Sequence, residues 1–173
     1  MEILKYEKIE ASFKPWNEDY FAVAKALIEF ISTKEFEVIH IGSTSFMVGG
    51  KGIIDLSILY KNNDLNKAVN HIKSLGFQDQ ISQKPFPKER PRKDGMVIFN
   101  NSKYIIHLHV IENNSIEYIK QIKYKEYMLS NPSARKEYEN KKLEILKKGI
   151  IEQEAYGKEK SPFVKSIITK IDI

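Results

Sequence analysis

Apolar residues in the first part of the chain follow first a helical and then a strand spacing. Residues 17–32 place their apolar side chains on one helical face, which predicts an amphipathic helix. The runs Phe36–Ile41 and Gly52–Tyr60 are typical of strands, and a turn at Gly42 separates them. Helical spacing returns over residues 63–77. We therefore expect the order helix, strand, turn, strand, helix.

The middle of the chain predicts a loop followed by a hairpin. Residues 83–95 hold three prolines and five basic side chains among few apolar ones, so we expect an exposed loop there. The runs "MVIFN" and "KYIIHLHVIE" follow, and the Asn-Ser pair between them is consistent with an antiparallel hairpin.

The last third of the chain has helical spacing. Residues 115–129 predict one helix, and Asn131-Pro132 supplies a cap and a first-turn proline for the next. Ser161-Pro162 repeats that pattern, so we expect a last helix to begin there. These elements together predict an α+β fold, with a mixed or antiparallel sheet flanked by helices and a helical C-terminal third. We expect one domain over residues 1–173.

Composition narrows the possible functions. The chain has no cysteine, which excludes disulfides, zinc-thiolate sites and cysteine nucleophiles. No apolar run is long enough to cross a bilayer, and the first residues lack the pattern of a secretion signal, so we expect a cytoplasmic protein without membrane contact. The net charge of +5 favours an anionic partner, without identifying it.

A glycine-hydroxyl turn stands before the second predicted strand. Gly42-Ser43 is followed, after eleven residues, by Asp55-Leu56-Ser57. This spacing resembles that of the nucleotidyltransferase superfamily. The resemblance implies that the Gly-Ser turn contacts nucleotide phosphates and that acidic residues on the strand hold divalent metals.

The second acidic position of that pattern is a serine. Two metal ions need carboxylates that converge on both, and residues i and i+2 of a strand share a face. Asp55 satisfies this requirement, but Ser57 carries no charge. For position 57, a small serine tolerated in a buried strand is favoured over a catalytic role.

Five segments extend the resemblance over nearly the whole chain. These segments are "HIGSTS", "KGIID", "HLHVIE", "YMLSNPSARKEYENKK" and "AYGKEKSPFVKSI". Their order and approximate spacing resemble those of the GrpB-like family. That resemblance implies a nucleotidyltransferase-like fold. The chain departs from the family where Phe46-Met47-Val48 replaces Val-Pro-Gly and where Lys51-Gly52 replaces Lys-Pro. The loop between these positions is one residue shorter than usual.

The resemblance implies a cleft that binds a nucleotide or another phosphorylated small molecule. It assigns phosphate contact to Gly42, Ser43, Thr44, Lys51 and Lys160. It assigns a divalent metal, Mg²⁺ or Mn²⁺, to Asp55, His107 and His109. Nucleotidyl transfer, with Asp55 as the catalytic carboxylate, is the implied reaction class. A related domain is fused to some dephospho-coenzyme A kinases.

His107 and His109 lie one residue apart on a predicted strand, so their rings share a face. Three roles are open: a shared metal, phosphate binding when protonated, or the place of the third nucleotidyltransferase carboxylate. Half-exposed histidines without a ligand are an equally ordinary interpretation. Because Ile106, Leu108 and Val110 alternate with them, we expect the histidine face to border a cleft or solvent.

Other basic residues lead to weaker hypotheses. The loop cations Lys84, Lys88, Arg90, Arg92 and Lys93 could close over an anionic ligand or form an ordinary solvated loop. No one-sided basic stripe with stacking aromatics is present, so nucleic acid is not an expected partner. No protein partner is indicated. Two rivals to the nucleotide-binding hypothesis remain, a non-catalytic or chaperone-like module and a histidine-ligated metal enzyme.

Overall fold

The structure, a computed structural model, describes residues 1–173 and is built on one five-stranded sheet. The strands are β1 (Glu37–Ile41), β2 (Ile53–Tyr60), β3 (Gln78–Asp79), β4 (Arg92–Phe99) and β5 (Ser102–Glu112). The helices are α1 (Asp19–Ile31), α2 (Leu65–Ser74), α3 (Ile116–Ser130), α4 (Pro132–Lys147) and α5 (Gln153–Ile168), with a 3₁₀ helix at Ser43–Phe46. None of these helices is long and apolar enough to cross a membrane.

The sheet is mixed, as the sequence predicts. Its strand order is β1-β2-β5-β4-β3, and only β2 and β5 run parallel. Parallel neighbours require a crossover, which α2, β3 and β4 supply. The parallel pair places Asp55 beside His107 and Ser57 beside His109. The α+β class predicted from the sequence is confirmed.

Alternating residues of the central strands separate the two faces of the sheet. Ile54, Leu56 and Ile58 of β2 are fully buried in the main core together with Ile106 and Leu108 of β5. Helices α1 and α2 cover this face. The opposite face carries Asp55 and the two histidines, as expected from the apolar residues that alternate with them.

Helices α3, α4 and α5 cover the polar face through a smaller core of their own. Phe46 and Val48, which follow the Gly42 turn, pack there against Met128 of α3. Tyr138 of α4 stacks on Phe163 of α5 at 4.9 Å between ring centroids. This second core holds the C-terminal helices beside the polar face and leaves a cavity between them.

The predicted hairpin between β4 and β5 is confirmed, with its turn one residue earlier than the Asn-Ser pair. Asn100 and Asn101 have φ values of 46° and 61°, and both lie between the strands. Two consecutive residues with positive φ are typical of the tight turn that matches strand twist, and asparagine tolerates this conformation better than most residues.

The predicted exposed loop over residues 83–95 is wrong at its C-terminal end. Residues from Arg92 onward belong to β4, and Arg92 and Asp94 are both buried. The two side chains form a pair of hydrogen bonds at 2.8 and 2.9 Å. Paired ions of this kind can be buried, whereas the sequence shows only two more charges in a polar stretch.

The predicted helix start at Ser161-Pro162 is also wrong, because Pro162 lies inside α5. Proline removes a helical hydrogen bond and costs roughly 3 kcal/mol in a helix interior. Tyr156, Phe163 and Ile167 are buried on one side of α5, on both sides of the proline. Their burial outweighs the local cost, so tertiary packing overrides the local signal.

Candidate functional site

A cavity of about 390 Å³ lies between the polar face of the sheet and helices α3 to α5. Its volume is within the range of small-molecule sites. Basic side chains dominate its charged lining, which comprises Lys51, Arg92, Lys120, Lys125, Lys142 and Lys160, with Asp55 and Glu117 as the only carboxylates. The electrostatic character of the cavity is therefore positive.

Asp55 and the two histidines meet on the floor of this cavity. The Asp55 Oδ1 atom lies 3.6 Å from His107 Nδ1 and 3.6 Å from His109 Nε2. The pairing of β2 with β5 fixes this arrangement, because Asp55 and His107 are direct neighbours across the two strands. The Asp55 side chain keeps 27% of its surface exposed through the cavity.

The histidines hold Asp55 in its ionised form. Burial alone raises the pKa of Asp55, but the adjacent His107 and His109 rings outweigh it and hold the pKa well below its usual value. For His107 itself, burial lowers the pKa more than Asp55 raises it. The Nδ1 atom of His107 faces Asp55, and the buried Nε2 atom of His107 has no hydrogen-bond partner.

The Gly42 turn fits closely around Asp55. Gly42 has a φ of 70°, and a Cβ atom added there would lie 2.6 Å from Asp55 Oδ2. Glycine is thus needed for both the backbone conformation and the close approach of the carboxylate. Ser43 lines the cavity beside it. The Ser45 hydroxyl donates a 2.7 Å hydrogen bond to the Gly42 carbonyl and closes the turn.

Thr44 does not line the cavity. It is 3% exposed, and its Oγ1 lies 2.9 Å from His40 Nε2. Burial, together with the Lys125 ammonium, lowers the pKa of His40 to about 4, so His40 is neutral at neutral pH. Of the predicted phosphate contacts, the structure brings Gly42, Ser43, Lys51 and Lys160 to the cavity, and Thr44 is left outside.

Ser57 is occupied by a structural contact. It is fully buried, and its hydroxyl donates a 2.7 Å hydrogen bond to Gln121 Oε1 on α3. The position that would carry the second carboxylate of a two-metal site thus ties the sheet to α3.

The sequence predicts a metal centre at Asp55, His107 and His109. Although Asp55, His107 and His109 are neighbours, no group of three or more histidine and carboxylate side chains is arranged to hold a metal ion. One ring nitrogen of each histidine, Nδ1 of His107 and Nε2 of His109, faces the Asp55 carboxylate. The predicted divalent metal stays a prediction.

Lys142 is a cavity residue that the sequence analysis missed. It is 3% exposed, and its ammonium lies 4.4 Å from the ring centroid of Tyr138. One signal was present in the sequence, since Ala134, Tyr138, Lys142 and Ile145 follow helical spacing and form the buried face of α4. A lysine within an apolar helical stripe was the detectable anomaly.

Only part of the predicted basic loop reaches the cavity. Phe86 contacts the edge of the His109 ring, at 5.0 Å between centroids, and Arg92 lines the same wall. Lys84 instead forms an exposed ion pair with Glu154, at 3.1 Å. Lys88 and Lys93 do not line the cavity either.

A sequence model described as GrpB protein matches residues 8–170 of the chain. The chain belongs to the GrpB family. The five segments that resemble the family lie within or next to the matched range and include the Gly42 turn, Asp55, both strand histidines and Lys160. No curated protein matches the chain.

Several solved structures are similar to this GrpB-family chain. The Cid1 poly(U) polymerase with Mg and 3'-dATP bound is 12% identical, with a TM-score of 0.49, over 73% of this chain and 41% of that chain. A cytoplasmic RNA terminal U-transferase is 13% identical, with a TM-score of 0.48, over 72% and 39%. Polymerase beta of Leishmania infantum is 15% identical, with a TM-score of 0.41, over 61% and 45%. The GrpB-family chain thus spans less than half the length of these polymerases and transferases.

Proposed function

We propose that the cavity of this GrpB-family protein binds a nucleotide or another phosphorylated small molecule. One observation carries the proposal: six basic side chains line the cavity against two carboxylates, and all of the six except Arg92, which pairs with Asp94, lack an ion-pair partner. Phosphate groups are the common metabolite groups that such an excess of cations neutralises. Apolar residues such as Phe46, Val164 and Ile168 provide a surface for the rest of the ligand.

Gly42 and Ser43 supply the polar edge of the proposed site. Both line the cavity together with Asp55, and Lys51 and Lys160 line the same cavity. In this proposal the Ser43 hydroxyl donates to a phosphate oxygen and the two lysines neutralise its charge. Thr44 takes no part, because its hydroxyl contacts His40.

Nucleotidyl transfer is the reaction class to test in this cavity, with Asp55 as the carboxylate closest to the turn. A non-catalytic binding module is the second candidate function. The observation that favours it is the Ser57 hydrogen bond to Gln121, which fills the second acidic position with a structural contact. Both candidates require ligand binding, and turnover separates them.

Isothermal titration calorimetry with ATP, CTP and coenzyme A precursors tests binding, with and without Mg²⁺ or Mn²⁺. We expect at least one ligand to bind in the micromolar-to-millimolar range. Loss of one charged contact costs about 1.5–3 kcal/mol, so Lys51→Met should weaken binding by roughly 10- to 100-fold. Lys147→Met, on the exposed side of α4, is the control and should bind as the unmodified protein does. Absence of binding by every ligand would overturn the proposal.

Release of pyrophosphate from the bound nucleotide then separates the two candidates. A transferase should release it in the presence of metal and an acceptor, and Asp55→Ala should abolish this release. A binding module should show no release, and its Asp55→Ala variant should still bind the ligand.

A further inference from the structure

Three lysines converge on two tyrosines in the cavity, and we call them the lysine cluster: Lys51, Lys142 and Lys160. The Lys51 ammonium lies 4.3 Å from the ring centroid of Tyr156, and that of Lys160 lies 5.6 Å from the same centroid. Lys142 lies 4.4 Å from the centroid of Tyr138. The three side chains come from the segment before β2, from α4 and from α5.

No carboxylate neutralises the lysine cluster. Every ion pair in the structure involves other residues, so no acidic oxygen lies within 4.0 Å of these three ammonium groups. The one hydrogen bond of the Lys142 ammonium is a long contact of 3.4 Å to the Gly49 carbonyl. Aromatic faces and one carbonyl oxygen offset only part of the cost of burying a cation.

The fold makes room for the most buried of the three. A Cβ atom added at Gly50 would lie 2.9 Å from the Lys142 ammonium, so the absent side chain of Gly50 leaves the space that this group occupies. Glu139, one turn earlier on α4, accepts a 2.8 Å hydrogen bond from the Gly49 N–H and does not pair with Lys142. Glu139 therefore holds the loop before β2 and forms no ion pair with Lys142.

The cluster also responds electrostatically as a set of unmatched cations. Burial and then Lys160 lower the pKa of Lys51 to about 8. Burial, followed by Lys160 and Lys51, lowers the pKa of Lys142 well below its usual value. The Asp55 carboxylate raises the pKa of both lysines, but by less than burial and the neighbouring ammonium groups together lower it.

Building on the proposed function, we propose that the lysine cluster is a subsite for a chain of two or more phosphates, so that the cavity selects diphosphates and triphosphates over monophosphates. A bound anion favours the protonated form of the three lysines. A phosphate monoester carries a charge of only about −1.5 to −2 at pH 7, which is less than the charge of three ammonium groups. A longer phosphate chain supplies more charge and can contact the lysines of α4 and α5 together.

Calorimetric titration with inorganic phosphate, pyrophosphate and triphosphate tests the subsite without any nucleoside. The titrations are run without magnesium at 150 mM salt, which weakens non-specific attraction to exposed charges. We expect pyrophosphate and triphosphate to bind at least ten-fold more tightly than phosphate. Lys142→Met should weaken pyrophosphate binding about ten-fold and change phosphate binding less than about two-fold.

The control is Lys147→Met, which removes the same charge from the exposed side of the same helix. It should keep the preference for longer phosphate chains. Lys160→Met provides a second test from α5, should Lys142→Met fail to fold by circular dichroism. Because Lys160 also contacts the single phosphate of the proposed function, this variant should weaken phosphate binding, and it should weaken pyrophosphate binding more, so that the preference is reduced.

The outcomes distinguish this inference from the proposed function. If phosphate binds as tightly as pyrophosphate and triphosphate, the subsite is overturned while the phosphate-binding cavity stands. The same holds if Lys142→Met and Lys160→Met keep the preference. If no phosphorylated compound binds the unmodified protein, both proposals fall.

Discussion

Asp55 and Lys142 lie in the same cavity, but their charges are met in opposite ways. Two histidine nitrogens approach Asp55 to 3.6 Å, and the pKa of Asp55 is held well below its usual value. Lys142 is more deeply buried, has no acidic partner, and has a lowered pKa. The charge of Asp55 has partners in the free protein, whereas the charge of Lys142 has no ion-pair partner.

This difference bears on what each region contributes. A buried charge with matched partners stabilises a particular geometry, as the Asp55 centre does between β2 and β5. A buried charge without a partner costs stability in the free protein, and a ligand of opposite charge can recover that cost. In the proposal made above, Asp55 organises the cavity and the lysine cluster holds the ligand.

Gly42→Ala should have the largest effect on the region around Asp55. A Cβ atom at this position would lie 2.6 Å from Asp55 Oδ2, and the φ of 70° is strained for alanine. We expect a loss of about 2–5 kcal/mol in the free energy of unfolding, measured by urea denaturation.

Gly157→Ala is the matched control for this substitution. Gly157 lies inside α5, and an added Cβ atom would meet nothing within 4 Å. Alanine should stabilise that helix by up to about 1 kcal/mol. Equal effects of the two substitutions would contradict the close fit of the Gly42 turn around Asp55.

Acid pH should protonate the neutral histidines near the Gly42 turn and lower the stability of the protein. Burial lowers the pKa of His40 to about 4, from about 6.5 in the unfolded chain, so between these values the unfolded chain binds more protons. Stability conferred by neutral His40 is therefore present above pH 6.5 and lost as pH falls towards 4, by roughly 3 kcal/mol. The lowered pKa of His107 acts in the same direction.

Urea denaturation at pH 7 and pH 4 measures this loss. The His40→Gln variant should lose less stability between the two pH values than the unmodified protein, because its neutral amide does not titrate. An unchanged difference between the two pH values would contradict the assignment to His40.

Lys142→Met should raise stability while it weakens pyrophosphate binding, so the variant separates the two properties. Removing the unmatched cation from its buried position should raise the free energy of unfolding by about 1 kcal/mol, which raises Tm by about 2–4 °C for a chain of this length. Differential scanning fluorimetry without ligand measures the shift, with Lys147→Met expected within about 1 °C. A fall in Tm would show that Lys142 stabilises the free protein.

The smallest expected effect concerns Ser57. Ser57→Ala removes the hydroxyl that donates to Gln121, and should lower the free energy of unfolding by about 0.5–1.5 kcal/mol. Phosphate and pyrophosphate should bind this variant as they bind the unmodified protein. A large loss of affinity in calorimetry would place Ser57 in the binding site instead.

The local features of the chain were predictable from the sequence. Helical spacing over residues 17–32 and 63–77 predicted α1 and α2, and Asn131-Pro132 predicted the start of α4. The signals failed where distant partners decide the structure. Arg92 enters a buried strand because Asp94 pairs with it, and Pro162 is accepted in α5 because residues on both sides of it are buried.

The candidate site was predictable only in part. The turn at Gly42, the carboxylate of Asp55 and the shared face of the two histidines follow from motif and strand periodicity, and the structure brings them together. Thr44 belongs to the same motif, but the sequence does not show that its hydroxyl forms a hydrogen bond with His40.

The periodicity of the chain is enough to assign which residues share a face of each helix or strand, because side-chain direction repeats with the period of the element. Which charges have partners depends instead on how the elements pack. Lys51, Lys142 and Lys160 are far apart along the chain, and they meet because the segment before β2 packs with α4 and α5 around one cavity. Neutralisation of a charge depends on distances of a few ångströms between such elements, which no local pattern encodes.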